Sequence, residues 1–344
     1  MSKIVLYRKY RPKSFDEVLG QDHIVGILKN ASKLKRIAHA YLFAGPRGTG
    51  KTSLARILAK EAGCSDVDLT EIDAASSRGI DEIRALREAV RFSPLQGDVK
   101  VYIIDEVHML TKEAFNALLK TLEEPPPHAI FILATTELEK VPETIVSRCQ
   151  NFSFRKIPEV ILREAILSIA EKEGVTMDDE SAGLIALSAE GSFRDAQGAL
   201  DQLISLGEKK ITRELARRFL SVPPREIIEN FIISMLEKNA EGGLEAIRQT
   251  VEKNIDIKMF LKLILRDIRS AILLSLAPAM KRRLEETHGE REFRFIERVQ
   301  SAAKKGELER ALKILLDSYD ARARSYLPQT PLELAFLEII GQNE

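Results

Sequence analysis

The most informative segment of the chain is the octapeptide Gly45-Pro46-Arg47-Gly48-Thr49-Gly50-Lys51-Thr52. It fulfils every position of the phosphate-binding pattern G-x-x-x-x-G-K-[ST]. Its glycines let backbone N–H groups point at phosphate oxygens, Lys51 neutralises β- and γ-phosphate charge, and Thr52 offers a hydroxyl to Mg²⁺. Residues 40–44 before it form an apolar run suited to a buried strand, and residues 53–62 after it are apolar at helical spacing. This context favours a nucleotide site, which we extend to Ser53, over a chance glycine turn.

Two acidic residues follow a second apolar run at residues 101–104. Asp105 and Glu106 then stand at the carboxyl end of a predicted strand, where open α/β sheets bind ligands. We expect Asp105 to hold the Mg²⁺ shell and Glu106 to orient and polarise the attacking water, because phosphoryl transfer depends on positioning and charge stabilisation. The alternative is a helix-capping carboxylate beside a solvated one. The pair follows an intact phosphate loop at the sequence separation expected for a nucleotide site, which disfavours this alternative.

A threonine pair ends a further predicted strand, residues 130–134. A hydroxyl at this point would project toward the γ-phosphate beside the acidic pair, and we choose Thr136 rather than Thr135. A threonine pair at a strand end is more often a simple cap, so this prediction depends on the neighbouring motifs.

Two arginines stand at the boundaries of predicted elements, Arg148 in Ser147-Arg148-Cys149 and Arg194 in the segment 191–196. A guanidinium is a permanent, forked positive charge that matches a transferring phosphoryl group, and a neighbouring subunit can supply it. Taken alone, each arginine is more typical of a surface salt bridge. Cys149 suits a small apolar role better than that of a nucleophile.

The order of patterns predicts three domains. Strand-like runs alternate with helical stretches at 51–62, 80–92 and 112–122, which indicates a parallel, helix-covered sheet in domain 1–155. Strand signals disappear after Phe154, and amphipathic segments predict a small helical domain at 156–221. Pro223 and Pro224 then mark the start of an all-helical domain at 222–344.

Composition excludes several classes of protein. The chain has 344 residues, no apolar run long enough for a membrane span and no signal-peptide core, so we predict a cytoplasmic protein. Its two cysteines, Cys64 and Cys149, are too few for a disulfide framework or a four-cysteine metal site. Net charge is zero, yet residues 1–60 carry 13 Lys and Arg against 3 Asp and Glu. This basic segment suits either nucleotide phosphates or the backbone of duplex DNA.

Further motifs extend over the first 200 residues. They are Tyr10-Arg11-Pro12 with Phe15, Val18-Leu19-Gly20-Gln21, EIDAAS at 71–76, IDEVHML at 104–110, NALLKTLEEPP at 116–126, the segment 134–137, and EGSFRDA at 190–196. With these motifs the chain resembles the clamp-loader family of AAA+ ATPases, and most closely the bacterial DNA polymerase III gamma/tau family. The helical remainder, ending in PQTPLELAFLEII at 328–340, is similar to the collar domain of that family.

The resemblance implies a role for each matched residue. The fold would be an α/β P-loop (AAA+) parallel-sheet domain, a small helical lid domain and an all-α collar. ATP and Mg²⁺ would be the cofactors, with Lys51 and Thr52 on phosphates and metal, Asp105 and Glu106 as the Walker B pair, and Thr136 as first sensor. Arg194 would be the second sensor, and Arg148 the arginine finger that reaches the nucleotide of the adjacent subunit. The residues that cup the adenine would be Arg11, Pro12, Val18 and Leu19.

The resemblance also implies partners, namely the other clamp-loader subunits in a hetero-oligomeric ring, a sliding clamp and primer-template DNA. Strand synthesis would belong to another subunit of the polymerase. One departure from the family is the interval 63–67, where a four-cysteine zinc module usually stands and Cys64 is alone, so we predict no zinc site.

Other classes remain as alternatives. The absence of the zinc module favours the small subunits of replication factor C, which lack it. Another AAA+ DNA-remodelling motor is the nearest alternative to a clamp loader. A non-hydrolysing ring subunit would have lost Lys51 or Glu106. A metabolic P-loop kinase would lack the motifs around Arg148 and Arg194.

Overall fold

The structure is a computed structural model that describes residues 4–76, 80–321 and 326–341. The chain divides into two compact units, residues Met1–Arg213 and Glu214–Glu344. The strands are β1 Ala40–Ala44, β2 Leu69–Asp73, β3 Lys100–Asp105, β4 Ala129–Thr135, β5 Gln150–Ser153, β6 Thr176–Met177 and β7 Lys210–Ile211.

The helices follow the chain through both units. They are α1 Leu6–Lys9, α2 Asp22–Lys33, α3 Lys51–Glu61, α4 Ile80–Val90, α5 Lys112–Glu123, α6 Glu143–Val146, α7 Glu159–Lys172, α8 Asp179–Ser188, α9 Phe193–Ser205, α10 Arg213–Phe219, α11 Arg225–Leu236, α12 Ala240–Glu252, α13 Ile257–Leu276, α14 Lys281–His288, α15 Glu290–Ala302, α16 Glu307–Ala321 and α17 Thr330–Gly341. Short 3₁₀ helices lie at Phe15–Glu17, Val107–Met109, Leu138–Lys140 and Pro278–Met280.

The first unit is built on a five-stranded parallel sheet in the order β2-β3-β4-β1-β5. Strand β1 therefore lies between β4 and β5, with Ala44 in register with Thr135 on one side and Ser153 on the other. Asp105 ends β3 in register with Asp73. Because all five strands are parallel, the phosphate loop and the ends of β3 and β4 emerge at the same edge of the sheet.

The core lies on both faces of this sheet. One face, which includes Tyr41 and Ile103, packs against helices α2 and α3, whereas the other, which includes Tyr102 and Leu133, packs against α4 and α5. Every residue of β1 and β4 is buried. Burial on both faces explains why these strands are continuous apolar runs rather than alternating patterns.

The predicted parallel sheet is confirmed, with three corrections to the predicted elements. Strand β5 was not predicted, because Phe152 is its one apolar residue and the strand is defined by its pairing with β1. The expectation that strands end after Phe154 was wrong, since β6 and β7 form a two-residue parallel pair between the helices. Helix α2, with Ile24 and Leu28 buried, was also missed.

The segment after the sheet is helical through α7, α8 and α9, as predicted, and every regular element in the described part of residues 214–344 is a helix. No helix among the described residues is long and apolar enough to cross a membrane. The predicted fold class is therefore confirmed, whereas the domain limits at 155 and 221 remain predictions.

The second unit contains a buried cluster of charged side chains. Asp267 on α13 is 1% exposed, and its Oδ2 lies 2.5 Å from Arg225 Nη1 on α11. Burial raises the pKa of Asp267, although electrostatic interactions with Arg266, Arg225 and His288 act in the opposite direction. Glu292 on α15 accepts a hydrogen bond from Arg266 Nη2 at 2.9 Å. This cluster adds polar contacts between three helices of the unit, α11, α13 and α15, to their apolar packing.

Candidate nucleotide-binding site

The phosphate loop turns through glycines that no other residue could replace without strain. Gly45 has φ +145°, and a Cβ at this position would lie 2.3 Å from the carbonyl oxygen of Phe154. Gly48 has φ +73°, and a Cβ there would lie 1.9 Å from Ser192 Oγ. The loop is therefore enclosed on one side by the end of β5 and on the other by the start of α9.

The remaining loop residues differ in exposure. Pro46 and Arg47 are exposed at the tip, whereas Thr49 is buried and its hydroxyl donates to the Pro46 carbonyl oxygen at 2.8 Å. Gly50 adopts a left-handed conformation immediately before α3, and Ser53 is half-buried in the first turn of that helix. The first turn of α3 thus directs its free N–H groups toward the loop, which is the general geometry of an anion site at a helix N-terminus.

Lys51 is buried within this loop. Its side-chain Nζ donates to the carbonyl oxygens of Gly45 at 2.7 Å and Pro46 at 3.0 Å. Burial lowers the pKa of Lys51, and the negative charges of Glu106 and Asp105 act in the opposite direction. The ammonium group is therefore fixed over the loop by neutral carbonyl groups, with two carboxylates near enough to influence it.

A direct contact joins the phosphate loop to the acidic pair. Thr52 Oγ1 donates to Asp105 Oδ2 at 2.6 Å, and Asp105 Oδ1 accepts the backbone N–H of Glu106 at 3.0 Å. A hydroxyl and a carboxylate oxygen are hard donors of the kind that Mg²⁺ prefers, and this ion keeps much of its remaining shell as water and phosphate oxygens. Thr52 and Asp105 therefore fit the predicted metal.

Glu106 is placed by residues from two strands. It has φ +49°, which is uncommon for a residue with a side chain, at the point where β3 turns into the 3₁₀ helix Val107–Met109. Its Oε2 accepts a hydrogen bond from Thr136 Oγ1 at 3.1 Å. His108 Nδ1 lies 3.5 Å from the same oxygen. The structure thus brings Thr136 to Glu106 and adds His108, to which the sequence assigned no role.

Arg194 lies at the start of α9, beside the phosphate loop. The backbone N–H of Phe193 donates to the Gly48 carbonyl oxygen at 3.0 Å, and a Cβ on Gly48 would lie 3.3 Å from Arg194 Cβ. The exposed guanidinium of Arg194 lies 5.1 Å from the ring centroid of Tyr7. Ser192 belongs to the segment that was expected to open a helix, and it caps α9; its contact with Gly48 was not predicted.

The predicted adenine-cupping residues lie on the segment before α2. Arg11 is half-buried, and its pKa is lowered by burial and by neighbouring guanidinium groups, including that of Arg194. Pro12 and Val18 are half-buried, whereas Leu19 is 46% exposed. Two residues later, Gln21 is fully buried, and its amide exchanges hydrogen bonds with the backbone of Arg155.

Within the described part of the chain, the hydrogen bonds and ion pair of Arg148 go to Glu123, Thr144 and Ser147 and not to the other predicted site residues. Its Nη2 lies 2.7 Å from Glu123 Oε1 at the end of α5, and its Nη1 donates to the Thr144 carbonyl oxygen at 2.8 Å. The side chain is 35% exposed. The guanidinium thus remains at the surface, fixed by α5 and α6.

Both cysteines are free and half-buried. Cys64 Sγ donates to the Ser65 carbonyl oxygen, and burial raises the pKa of the Cys149 thiol to about 12. A thiol with such a pKa is a poor nucleophile at neutral pH. Cys149 therefore behaves as a small packing residue, while the predicted absence of zinc remains a prediction.

Two family profiles match the first unit. The one described as DNA polymerase III, delta subunit, matches residues 20–79 and 65–158. The one described as DNA polymerase III clamp loader subunit, ATPase lid domain, matches residues 162–209.

Curated relatives cover most of the chain. DNA polymerase III subunit tau of Bacillus subtilis is 41% identical over 86% of this chain and 56% of its own length, and the Escherichia coli subunit tau is 38% identical over 81% and 47%. The chain thus spans about half the length of these relatives. DNA polymerase III subunit gamma of Buchnera aphidicola is 36% identical over 82% of each chain.

Among solved structures, the Holliday junction branch migration motor RuvB of Thermotoga maritima is similar, with a TM-score of 0.53 and 24% identity. The match covers 66% of this chain and 80% of the motor. At this level of identity the similarity shows a shared fold and does not indicate a shared function.

Proposed function

The chain belongs to the DNA polymerase III gamma/tau family, and from that premise we propose that it is an ATP-hydrolysing motor subunit of a replicative clamp loader. Its substrate is ATP, and its work is to load a sliding clamp onto primer-template DNA. The observation that carries the proposal is the hydrogen-bonded series from Thr52 to Asp105 and from Thr136 to Glu106 at one edge of the sheet.

The phosphate loop binds the triphosphate. Backbone N–H groups of the loop and of the first turn of α3 donate to phosphate oxygens. Lys51, now bonded to the carbonyl oxygens of Gly45 and Pro46, has three donors and can add a phosphate oxygen to these partners. Thr52 and Asp105 would hold Mg²⁺, which would supply positive charge against the phosphates.

Glu106 prepares the attacking water. Its Oε2 is held by the hydroxyl of Thr136, which leaves the other carboxylate oxygen to accept a hydrogen bond from water. Thr136 itself lies one residue beyond β4, next to β1 and its phosphate loop. The Thr136 hydroxyl can therefore respond to a bound γ-phosphate and change the position of Glu106 through a single hydrogen bond.

The remaining positive charge comes from two arginines in different positions. Arg194, beside Gly48, supplies a guanidinium from the same chain. The guanidinium of Arg148 is partly exposed and is bonded to Glu123 and Thr144 rather than to this site, and it acts on the nucleotide of an adjacent subunit. Hydrolysis then depends on assembly into a hetero-oligomeric ring, and the excess of Lys and Arg in residues 1–60 supports contact with the DNA backbone.

The test is the rate of ATP hydrolysis by the chain alone and after addition of the other ring subunits, the clamp and primed DNA. We expect the rate to rise synergistically when all are present, because each completes or orders the interface site. Glu106→Gln should preserve ATP binding and lower the rate by at least 100-fold, the usual scale for loss of a general base.

Two results would contradict the proposal. Full turnover by Glu106→Gln would remove the assigned chemistry. Equal ATPase rates with and without clamp and primed DNA, by a homo-oligomer of this chain, would favour a DNA-remodelling motor instead.

A further inference from the structure

His108 is a buried titratable side chain beside the acidic pair. It lies on the 3₁₀ helix that follows Glu106, and its side chain is 5% exposed. Nδ1 lies 3.0 Å from Thr135 Oγ1, and Nε2 lies 3.1 Å from Glu137 Oε1. Both ring nitrogens are therefore fixed by residues at the end of β4.

Each ring nitrogen of His108 has a partner that is itself anchored. Thr135 Oγ1, beside Nδ1, also accepts the backbone N–H of Glu137 at 3.0 Å, which fixes the hydroxyl oxygen. The Glu137 carboxylate, beside Nε2, can accept a hydrogen from the ring. Glu137 is also paired with Lys140, so the ring is held by groups that are themselves fixed.

The same ring lies against the carboxylate of Glu106. Nδ1 is 3.5 Å from Glu106 Oε2, the oxygen that also accepts the Thr136 hydroxyl. A fixed ring on one side and a hydroxyl on the other leave this carboxylate little freedom to rotate. Placement matters here, because a displacement of about 1 Å in a reacting group can cost a factor of about 100 in rate.

We propose that His108 is a positioning residue for Glu106: its ring, anchored on Thr135 and Glu137, holds the Glu106 carboxylate in the orientation that orders the attacking water. The inference rests on the proposed function, since it requires Glu106 to act on water. It does not require His108 to touch ATP.

The test uses substitutions that separate the two ring nitrogens. An asparagine amide occupies roughly the place of Nδ1, and a glutamine amide roughly that of Nε2. We expect His108→Ala to lower kcat of the assembled complex on the order of tenfold with ATP affinity unchanged. His108→Asn should recover most of this loss, because it keeps a polar atom between Thr135 and Glu106, whereas His108→Gln should recover little.

Two matched measurements distinguish positioning from general loss of structure. His128→Ala removes a half-buried histidine that stands immediately before β4 and bonds the carbonyl oxygen of Val90 at the end of α4; this variant should leave kcat unchanged. Thr135→Val removes the anchor of Nδ1 with little change in volume. Its loss of kcat should not add to that of His108→Ala, because both variants release the same ring.

The proposal is overturned if His108→Ala has unchanged kcat, if Asn and Gln recover equally, or if the effects of Thr135→Val and His108→Ala multiply. Glu106→Gln, measured in parallel, separates this inference from the proposed function. Loss of activity in Glu106→Gln with normal activity in His108→Ala would reject the positioning role alone. Normal activity in Glu106→Gln would reject the proposed function.

Discussion

At the scale of single residues, the pattern of the phosphate loop predicts which residues bind a nucleotide but not why each glycine is required. Gly48 is needed because Ser192, 144 positions later in the chain, caps α9 against it. Similarly, His108 became a candidate only when folding placed Thr135 and Glu137 around its ring. Contacts between distant parts of the chain have no local sequence signal.

Gly48→Ala tests the contact between the loop and α9. The new Cβ would clash with Ser192, and φ +73° is strained for alanine. We expect the free energy of unfolding to fall by about 1–3 kcal/mol and ATP affinity to fall at least tenfold. Urea unfolding and equilibrium ATP binding measure the two effects.

Gly26→Ala is the control for this substitution. It lies within α2 with open space around its Cα, so alanine should be neutral or stabilising by up to about 1 kcal/mol. Adding Ser192→Gly to Gly48→Ala relieves the clash and leaves the backbone strain, so it should recover part of the loss. Wild-type stability and affinity in Gly48→Ala alone would show that the loop and α9 do not meet as described.

At the scale of elements, strands that are buried on both faces can be predicted from the sequence, whereas a strand that is defined by its pairing with a neighbour cannot. The runs of β1, β3 and β4 are apolar enough to be recognised alone. Strand β5 has one apolar residue in four and becomes a strand through β1. The buried charged cluster of the helical unit was also missed, because helical periodicity gives no sign that charged positions face inward.

Glu292 tests that cluster. Burial alone would raise its pKa, but His288, Arg266 and Arg225 outweigh burial and hold the pKa at about 2. An ordinary glutamate in the unfolded chain titrates near about 4.3. The contribution to stability is therefore complete above that value and is lost as the pH falls toward 2. Glu292→Gln should lower the free energy of unfolding by about 2 kcal/mol at pH 7, and by progressively less below pH 4.

Urea unfolding of the full chain at several pH values measures this difference. Glu290→Gln, two residues earlier on α15, is the matched control. Its pair with Arg294 is about three-quarters exposed, so its loss should cost less than about 1 kcal/mol at any pH. A Glu292→Gln effect that stays constant from pH 7 to the acid limit would contradict the assigned ion pairs.

At the scale of the whole molecule, each proposed catalytic site lies between two subunits. A single chain supplies the nucleotide-binding side of one site and the arginine of another. The phosphate loop, the acidic pair and Arg194 meet within the first unit, while Arg148 is held at the surface by Glu123 and Thr144. The sequence could predict Arg148 only through the resemblance, since an arginine after a short helix has no distinctive local pattern. We therefore propose that Arg148 functions only within an assembly.

The most direct test of the account is therefore the ATPase rate of Arg148→Ala, alone and in the ring with clamp and primed DNA. Arg163→Ala, which breaks the half-exposed pair with Asp179, serves as the control. We predict that Arg148→Ala binds ATP normally, has the same low rate as the unmodified chain when alone, and loses at least 100-fold in the stimulated rate. Full stimulation of Arg148→Ala, or an equal loss in the isolated chain, would contradict catalysis shared between neighbouring subunits.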